Sequence, residues 1–395
     1  MKKSFKIISI VNISNKDNLE CDSGVHVQLG FGKEMEKRGH KYVIYSQIDP
    51  DYWIFQARKI ELGNTKYAVR FGVPYADLLK NILKEGKVDF VLVNQPEIAA
   101  SVKAILIEAK LYTTQIIIYV HYLPIYLINI NTGTLTLDPS LNEGEIGEII
   151  LSKVFEGCKI ADKILVHSQW GADLLANLSE QKFGLSLSKK ISIVPPPLDN
   201  ALLEKIHDFE MPFSNFIAYP NRLYAHYGTS ELFKQLHYIQ KKNPFKVYVS
   251  DPLANQSINR KALDPESEKL RIELKNYPFI LWGLDEDRKR SNYYNKLRNS
   301  LLVLAPNRKA ALWSMSVADG MANARPALAP NAGGYKDLLP SDLLWNNERD
   351  LQEKLLSLLR EPTTWKHYAK LCYSYVQYLN PSNVGKKLED CLYDN

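Results

Sequence analysis

Short runs of apolar residues alternate along the chain with longer amphipathic stretches. In the first half, strand-length runs rich in Ile and Val are predicted at residues 5–11, 42–45, 90–94, 116–120, 164–167 and 191–194. A helix is predicted between the first two runs, at 25–38, and it ends at Gly39, as helices often do. Apolar residues at helical spacing predict a further helix at 142–161. This alternation is typical of βαβ units around a parallel sheet.

A proline run interrupts the pattern, and a second series of the same kind follows. Pro195-Pro196-Pro197 can neither continue a helix nor pair within a central strand, and a polar stretch comes after it. Strands are then predicted at 216–219, 245–249, 279–281, 301–304, 326–329 and 343–345. Helices are predicted at 230–241, 314–324, 351–359 and 364–379. The pattern therefore predicts an α/β protein with two Rossmann-like, doubly wound domains.

The predicted domain plan has four parts. An N-terminal domain is expected at 1–198, a linker at 199–215, a second domain at 216–363, and a helical segment at 364–395 that crosses back to the first domain. Ligands of doubly wound sheets bind at the carboxyl ends of the strands. Two such domains that face each other therefore predict a site in the cleft between them.

Composition narrows the class of protein. Hydrophobic residues make up 45% and charged residues 24% of the 395 residues, as in ordinary globular proteins. The longest apolar runs are far short of the ~20 residues that span a bilayer, and Asn12 interrupts the N-terminal run, so a signal peptide is not expected. The four cysteines have no metal-like spacing, so we expect a reduced, cytoplasmic protein. A net charge of +6 permits contact with DNA or with an anionic membrane without requiring it.

The most informative segment runs from residue 311 to residue 337. It contains a loop, a helix of small residues, a strand and then Gly333-Gly334. The N–H groups at a helix N-terminus attract anions, so a diphosphate is expected beside the first residues of this helix, Ser314, Met315 and Ser316. Asp319 lies one to two turns inside the helix and is expected to accept hydrogen bonds from a ribose. In the loop after strand 216–219, Arg222 fits as a fixed cation for the same diphosphate.

These segments resemble the retaining GT-B glycosyltransferases of family 4. The family signature is Glu-Gly-Phe-Gly, then a helix with a second Glu eight residues after the first, then Pro, a strand and Gly-Gly. The corresponding residues here are Trp313-Ser314, Asp319, Pro326 and Gly333-Gly334. Ala311 replaces the first Glu, which in the family helps to hold the donor sugar. The family's Gly-Arg-Leu corresponds to Asn221-Arg222-Leu223, and Tyr227 stands where the family has Lys before Gly228.

The resemblance implies a GT-B fold that closes over a nucleotide-sugar and needs neither a metal nor a cofactor. Arg222 and the helix end would stabilise the leaving diphosphate, and Tyr227 would donate a hydrogen bond to the donor. The resemblance also implies that Gly333 and Gly334 contact the donor. In the first half, Gly24 resembles the family's opening glycine loop and is expected near the diphosphate. His121, at the end of strand 116–120, is the candidate acid–base group facing the acceptor hydroxyl. The acceptor side is expected to include further polar residues, namely His26, Asn94, Glu97 and Tyr122.

The favoured function is transfer of a sugar from a nucleoside diphosphate to a saccharide or lipid-linked acceptor. One alternative is a phage-type glycosyltransferase of hydroxymethylated DNA bases, which would act in the host cytoplasm. Others are a nucleotide-sugar epimerase and, given Ala311 and Tyr227, a non-catalytic partner subunit. A saccharide or lipid acceptor is compatible with peripheral contact at the inner membrane face through the basic surface.

Two kinds of charged pattern are interpreted as solvated surface. The acidic patterns 49–51 and 285–287 match the way another class of glycosyltransferases binds metal, but the doubling of the fold favours the metal-independent class. The basic and aromatic residues of 288–298 resemble a nucleic-acid surface and are interpreted as one solvated face of a helix.

Overall fold

The structure is a computed structural model, and it describes residues 3–13, 19–61, 66–129, 132, 134–139, 143–205, 207, 209–250, 265–283 and 289–393. The chain divides into two compact units. The first unit comprises Met1–Pro197 and Pro381–Asn395, and the second comprises Leu198–Asn380. Among the described residues, no helix combines the length and the apolar character that a membrane crossing requires.

A seven-stranded parallel sheet forms the centre of the first unit. Its strands are β1 Lys6–Ile10, β2 Lys41–Ser46, β3 Gln56–Lys59, β4 Phe90–Val93, β5 Gln115–Val120, β8 Lys163–Val166 and β9 Ile191–Ile193, in the order β3-β2-β1-β4-β5-β8-β9. An antiparallel hairpin, β6 Ile125–Asn129 and β7 Thr134–Leu137, is inserted after β5. The six strands predicted in this half are confirmed. The apolar pattern does not predict β3 or the hairpin, because their residues are largely polar or half-exposed.

Helices cover the first sheet. They are α1 Ser23–Lys37, α2 Lys66–Phe71, α3 Tyr75–Glu85, α4 Ala99–Glu108, α5 Ile146–Ile160 and α6 Gln169–Phe183. Local sequence sets several of their ends. Asp22 caps α1 by accepting N–H bonds from Gly24 and Val25 at 2.8 and 3.2 Å. Ser168 caps α6, and Gly184 ends it with a φ of 60°.

The second unit contains a six-stranded parallel sheet. Its strands are β10 Phe216–Tyr219, β11 Lys246–Val249, β12 Ile280–Trp282, β13 Val303–Leu304, β14 Ala327–Pro330 and β15 Leu344–Trp345, in the order β12-β11-β10-β13-β14-β15. Its helices are α7 Asn200–Leu203, α8 Thr229–Lys242, α9 Pro265–Leu274, α10 Arg290–Asn299, α11 Met315–Ala322, α12 Tyr335–Leu338, α13 Glu348–Arg360 and α14 Pro362–Val376. All six predicted strands of this half are confirmed. The two Rossmann-like folds therefore follow the predicted alternation.

The chain passes between the units twice, after Pro197 and after Asn380. Within the stretch expected as a linker, Leu202 and Leu203 of α7 are buried in the core of the second unit. Helix α14 also remains in that unit. The last helix, α15 Pro381–Tyr393, belongs to the first unit, where Glu389 accepts a hydrogen bond from Arg38 at 2.9 Å. Its apolar side chains, among them Val384 and Leu388, complete the core beneath α1.

Each sheet has one point where the order of its strands reverses. In the first sheet the chain runs outward from β1 to β3 and resumes at β4, on the other side of β1. In the second sheet it runs from β10 to β12 and resumes at β13, on the other side of β10. The loops that follow such neighbouring strands diverge and leave a crevice for ligands. We call these two places the first and the second switch point.

Candidate functional site

At the second switch point, the loop after β10 is tied to the start of α11. The Ser316 hydroxyl donates to Asn221 Oδ1 at 2.8 Å, and Asn221 Nδ2 donates to the carbonyl of Leu304 in β13 at 3.1 Å. Asn221 directly precedes Arg222, so these bonds fix the backbone that carries this cation. Two of the predicted elements, the Arg222 loop and the first helical turn, are thus neighbours in the structure.

Glycines let two more loops pack into the same place. Gly228 has a φ of 61°, and a side chain there would lie 3.1 Å from Asn307, in the loop after β13. Gly333 has a φ of 57°, and a Cβ on it would lie 2.6 Å from the carbonyl oxygen of Ala311. The same carbonyl accepts the N–H of Gly334 at 2.7 Å. The Gly333-Gly334 pair therefore holds the loop after β14 against the loop after β13, and its predicted contact with the donor stays a prediction.

Helix α11 presents its N-terminus at this switch point. Ser314 is its N-cap, and its hydroxyl accepts the N–H of Val317 at 3.4 Å and lies 3.2 Å from the Ser316 hydroxyl. The first N–H groups of any α-helix have no partner within the helix, so the turn at Met315 and Ser316 suits an anion. Gly320 brings the helix close to the sheet, because a Cβ there would lie 2.4 Å from Val303.

The structure corrects the expected role of Asp319. Asp319 is 1% exposed, and its carboxylate pairs with Arg290 Nη2 at 3.2 Å and accepts a hydrogen bond from the Tyr293 hydroxyl at 3.3 Å. Burial raises the pKa of Asp319, while Arg290 and Tyr293 oppose that rise. A carboxylate enclosed in this way joins α10 to α11 and does not face a ribose.

The same contacts correct the interpretation of 288–298 as a solvated face. Tyr294 is buried, and the Arg290 guanidinium lies 4.7 Å from its ring centre. Arg290 and Tyr293 therefore contact Asp319 of α11, whereas Lys289 at the start of this stretch is exposed. The acidic pattern 285–287 lies outside the described residues.

Two further cations follow β13, and the sequence interpretation missed them. Arg308 places its guanidinium carbon 5.2 Å from the ring centre of Tyr227, whereas Lys309 is exposed. The signal was present in the sequence, since Asn307-Arg308-Lys309 begins three residues after the predicted strand 301–304. The ring of His226 lies 4.6 Å from that of Tyr227. Tyr227 is thus enclosed by its neighbours.

At the first switch point, neutral polar side chains form a connected network. Gln28 of α1 accepts from the hydroxyls of Ser9 and Tyr42, both at 2.6 Å, and donates to Asn94 Oδ1 at 2.8 Å. Asn94 Nδ2 donates to the carbonyl of Ile10 at 2.9 Å and to the Ser9 hydroxyl at 3.1 Å. Asn94, expected to face an acceptor, is therefore occupied by these neighbours.

His121 belongs to the same network, and its expected role as an acid–base group stays a prediction. Asn94 Nδ2 faces a carbonyl, so Asn94 Oδ1 is the acceptor for His121 Nε2 at 3.1 Å, and that nitrogen carries the proton. The Nδ1 of His121 then accepts from His167 Nε2 at 3.2 Å. Burial lowers the pKa of His121 to about 4. Burial also holds the pKa of His167 well below its usual range, and the neighbouring His121 lowers it further.

Glu97 and Tyr122, expected on the acceptor side, meet through Arg70 of α2. Glu97 is 8% exposed and accepts from Arg70 Nη1 at 2.6 Å, and the Arg70 guanidinium carbon lies 5.3 Å from the ring centre of Tyr122. The Tyr122 hydroxyl donates to buried Asp138 at the end of the hairpin. Arg70 and Glu97 thus form an ion pair beside the ring of Tyr122.

Gly24 and His26 occupy the first turn of α1. The N–H of Gly24 already donates to Asp22, and this carboxylate would repel a second anion. Gly24 thus takes part in the cap of α1, and its expected place near the diphosphate or the acceptor stays a prediction. His26 Nε2 lies 2.7 Å from the backbone carbonyl of Glu20.

The acidic pattern 49–51 forms an exposed turn. Asp49 accepts the N–H of Asp51 at 3.0 Å. Over the described part of the chain, no group of three or more His, Cys, Asp and Glu side chains has an arrangement that could hold a metal ion.

Comparisons with known proteins bear on the fold. No protein-family model matches the chain, and no curated protein matches it in sequence. A solved glycosyltransferase from Rickettsia africae ESF-5 is 14% identical, with a TM-score of 0.65 over 100% of both chains. HepE from Anabaena, in complex with UDP and glucose, is 10% identical with a TM-score of 0.68, over 99% of this chain and 100% of the other. Sucrose-phosphate synthase from Thermosynechococcus elongatus is 13% identical with a TM-score of 0.68, over 98% of each chain. This likeness shows that the chain has the predicted GT-B fold with two Rossmann-like domains.

Proposed function

We propose that this protein is a glycosyltransferase that moves a sugar from a nucleoside diphosphate to an acceptor hydroxyl, with the donor bound at the second switch point. The observation that carries the proposal is the junction of the Arg222 loop with the Ser314-capped end of α11 through Asn221 and Ser316. A guanidinium and a helix N-terminus together suit a diphosphate. The structure of HepE in complex with UDP and glucose agrees with a ligand of this class.

In the proposed reaction, the bond between the anomeric carbon and the diphosphate oxygen breaks, and its electron pair stays on the diphosphate. The acceptor oxygen forms the new bond to the anomeric carbon, and its proton passes to the oxygen of the leaving diphosphate. Arg222 and the N–H groups at Met315 and Ser316 stabilise the negative charge that develops on the leaving group. Because arginine and backbone dipoles provide this stabilisation, we propose that turnover needs no divalent metal. Addition of EDTA is expected to leave the rate unchanged.

For the acceptor, we propose a saccharide or a lipid-linked saccharide. The resemblance to family 4 and the mild net charge of +6 support this choice, because tight DNA binding depends mainly on cations that contact phosphates. Tight binding to a hydroxymethylated DNA duplex, with steep dependence on salt, would favour the DNA-modifying alternative. We further propose that the product retains the donor's anomeric configuration, as the resemblance to family 4 implies.

A thermal-shift screen of nucleotide-sugars, followed by an assay for release of the nucleoside diphosphate, tests the proposal. One donor is expected to raise the melting temperature, because a ligand that binds the folded state stabilises it. Release of diphosphate from that donor separates a transferase from a non-catalytic subunit, and an epimerised nucleotide-sugar as product would indicate an epimerase. If no nucleotide-sugar stabilises the protein, the proposed function is wrong.

A further inference from the structure

The loop after β13 carries a second arginine to the place where the proposed donor binds. Arg308 is half-buried, and its guanidinium carbon lies 5.2 Å from the ring centre of Tyr227 in the loop after β10. The packing of Gly228 against Asn307, and the bond from Gly334 to Ala311, hold the Arg308 loop on both sides. Arg308 therefore extends across the second switch point toward the segment that begins at Arg222.

The charge of a diphosphate favours a second cation. A nucleoside diphosphate carries more than one negative charge, whereas the loop at 220–228 contains a single arginine and no lysine. The end of α11 adds only about half an elementary charge. A guanidinium that packs over an aromatic ring is held in place and keeps N–H groups that can donate to phosphate oxygens.

Unmet hydrogen-bonding capacity in the same loop supports a ligand there. Asn307 Oδ1 and Trp313 Nε1 are both buried, and neither has a hydrogen-bond partner among the residues that the structure describes. Buried polar atoms are normally paired, and each exception calls for an explanation, such as a catalytic role or a bound water or ion. The two atoms lie on either side of Arg308 in sequence, and they offer one acceptor and one donor.

Building on the proposed function, we propose that Arg308 is the second phosphate-binding cation and that it makes the site selective for diphosphates over monophosphates. Tyr227 is then a positioning residue, which holds the guanidinium of Arg308 and does not itself contact the donor. This assignment replaces the direct hydrogen bond to the donor that the sequence suggests for Tyr227.

Calorimetric titration with UDP, ADP and GDP, and with their monophosphates, tests the assignment. For the nucleotide that binds, Arg308→Ala is expected to weaken diphosphate binding about 10–100-fold, which is the value of one or two charge-assisted hydrogen bonds. Monophosphate binding should change less than about threefold, because its single phosphate remains with Arg222. Arg308→Lys should lie between the wild type and the alanine variant. It also provides the test if Arg308→Ala does not fold.

A double variant that moves the positive charge to a neighbouring position tests the assignment more specifically, because it predicts a gain of affinity over Arg308→Ala. Combining Tyr227→Lys with Arg308→Ala moves the cation to the neighbouring position, and it should recover about tenfold of the lost diphosphate affinity. Tyr227→Phe keeps the ring and should retain the ratio of diphosphate to monophosphate affinity. Tyr227→Ala should lower this ratio, a change that a purely structural role would not produce.

Lys309→Ala is the matched control, since it removes the next cation in the same loop. It should leave the affinity ratio unchanged. Two results would overturn the assignment of Arg308. One is an equal loss of diphosphate affinity in Lys309→Ala and Arg308→Ala, and the other is an unchanged ratio of diphosphate to monophosphate affinity in Arg308→Ala. If the assignment of Arg308 is overturned but Arg222→Ala abolishes nucleotide binding, the proposed function stands without a role for Arg308. If the wild type binds no nucleotide, both proposals fail.

Discussion

The two switch points have the same topology but differ in the charge of several of their side chains. At the first, Ser9, Gln28, Asn94 and two histidines exchange hydrogen bonds among themselves and carry no formal charge when the histidines are neutral. At the second, Arg222 and Arg308 lie on loops that meet beside a helix N-terminus. Parallel doubly wound sheets create a crevice at every switch point. The side chains placed there decide whether an anion or a neutral group fits.

Local charge explains the difference further. The N-terminus of α1 at the first switch point is capped by the carboxylate of Asp22, whereas that of α11 is capped by the neutral hydroxyl of Ser314. A helix dipole that is already neutralised by a carboxylate attracts a phosphate weakly. The charge of the helix cap therefore differs between the two switch points, as the presence of the arginines does.

The largest expected effect concerns Arg222 and compares substitutions at the two switch points. Arg222→Ala should lower diphosphate release at least about 100-fold, because it removes a charge that stabilises the leaving group. His121→Gln, at the first switch point, should leave nucleotide affinity within about threefold, because the neutral network does not contact phosphate. Arg349→Ala is the matched control, since Arg349 is an exposed arginine of the second unit. An unchanged release rate in Arg222→Ala would refute the donor-site assignment.

The next effect concerns stability and the corrected role of Asp319. Asp319→Ala should destabilise the second unit by about 3 kcal/mol, because it leaves the partly buried Arg290 without its carboxylate. Urea unfolding, followed by tryptophan fluorescence, measures the loss. Replacing both partners, with Asp319→Leu and Arg290→Met, should restore part of it. A variant of normal stability that has lost only nucleotide binding would instead support the ribose role.

The neutral network makes a prediction about pH. The unfolded chain binds protons at His121 as pH falls through about 6.5, whereas the folded protein resists protonation until about pH 4. Stability that is complete above pH 6.5 is therefore lost as pH falls toward 4, by up to about 1.4 kcal/mol per pH unit for each such histidine. Unfolding free energies measured across this range should show a smaller slope in the double variant His121→Gln, His167→Gln. If the free energy of unfolding of the double variant depends on pH as steeply as that of the wild type, His121 and His167 do not cause the pH dependence.

The smallest expected effects come from two glycines, one in each unit. Gly24→Ala should change stability by less than about 1 kcal/mol and leave nucleotide affinity unchanged, since its Cβ would meet only the flexible side chain of Asp22, at 3.1 Å. Gly333→Ala should cost at least about 1 kcal/mol and weaken nucleotide binding, because φ is 57° and backbone lies 2.6 Å away. Melting temperatures and titrations of both variants provide the measurement. Weaker nucleotide binding in Gly24→Ala would place the donor at the first switch point as well.

Sequence patterns predicted the elements better than the contacts between them. Buried strands were predictable because they are continuous apolar runs, whereas the edge strand β3 has the polar sequence Gln-Ala-Arg-Lys. Arg222 and the start of α11 were predictable because each follows a recognisable strand. The pairing of Asp319 with Arg290 depends on how α10 packs on α11, which is not encoded in local spacing. The His121–His167 contact likewise depends on β5 and β8 being neighbours in the sheet.

The return of α15 to the first unit has a consequence for synthesis on the ribosome. Every residue of the second unit, Leu198–Asn380, is translated before the helix that completes the first. Until that helix is made, Arg38 and His40 lack the carboxylate of Glu389, and the apolar face of α1 lacks Val384 and Leu388. The first unit therefore cannot complete its core until the second unit has been translated in full.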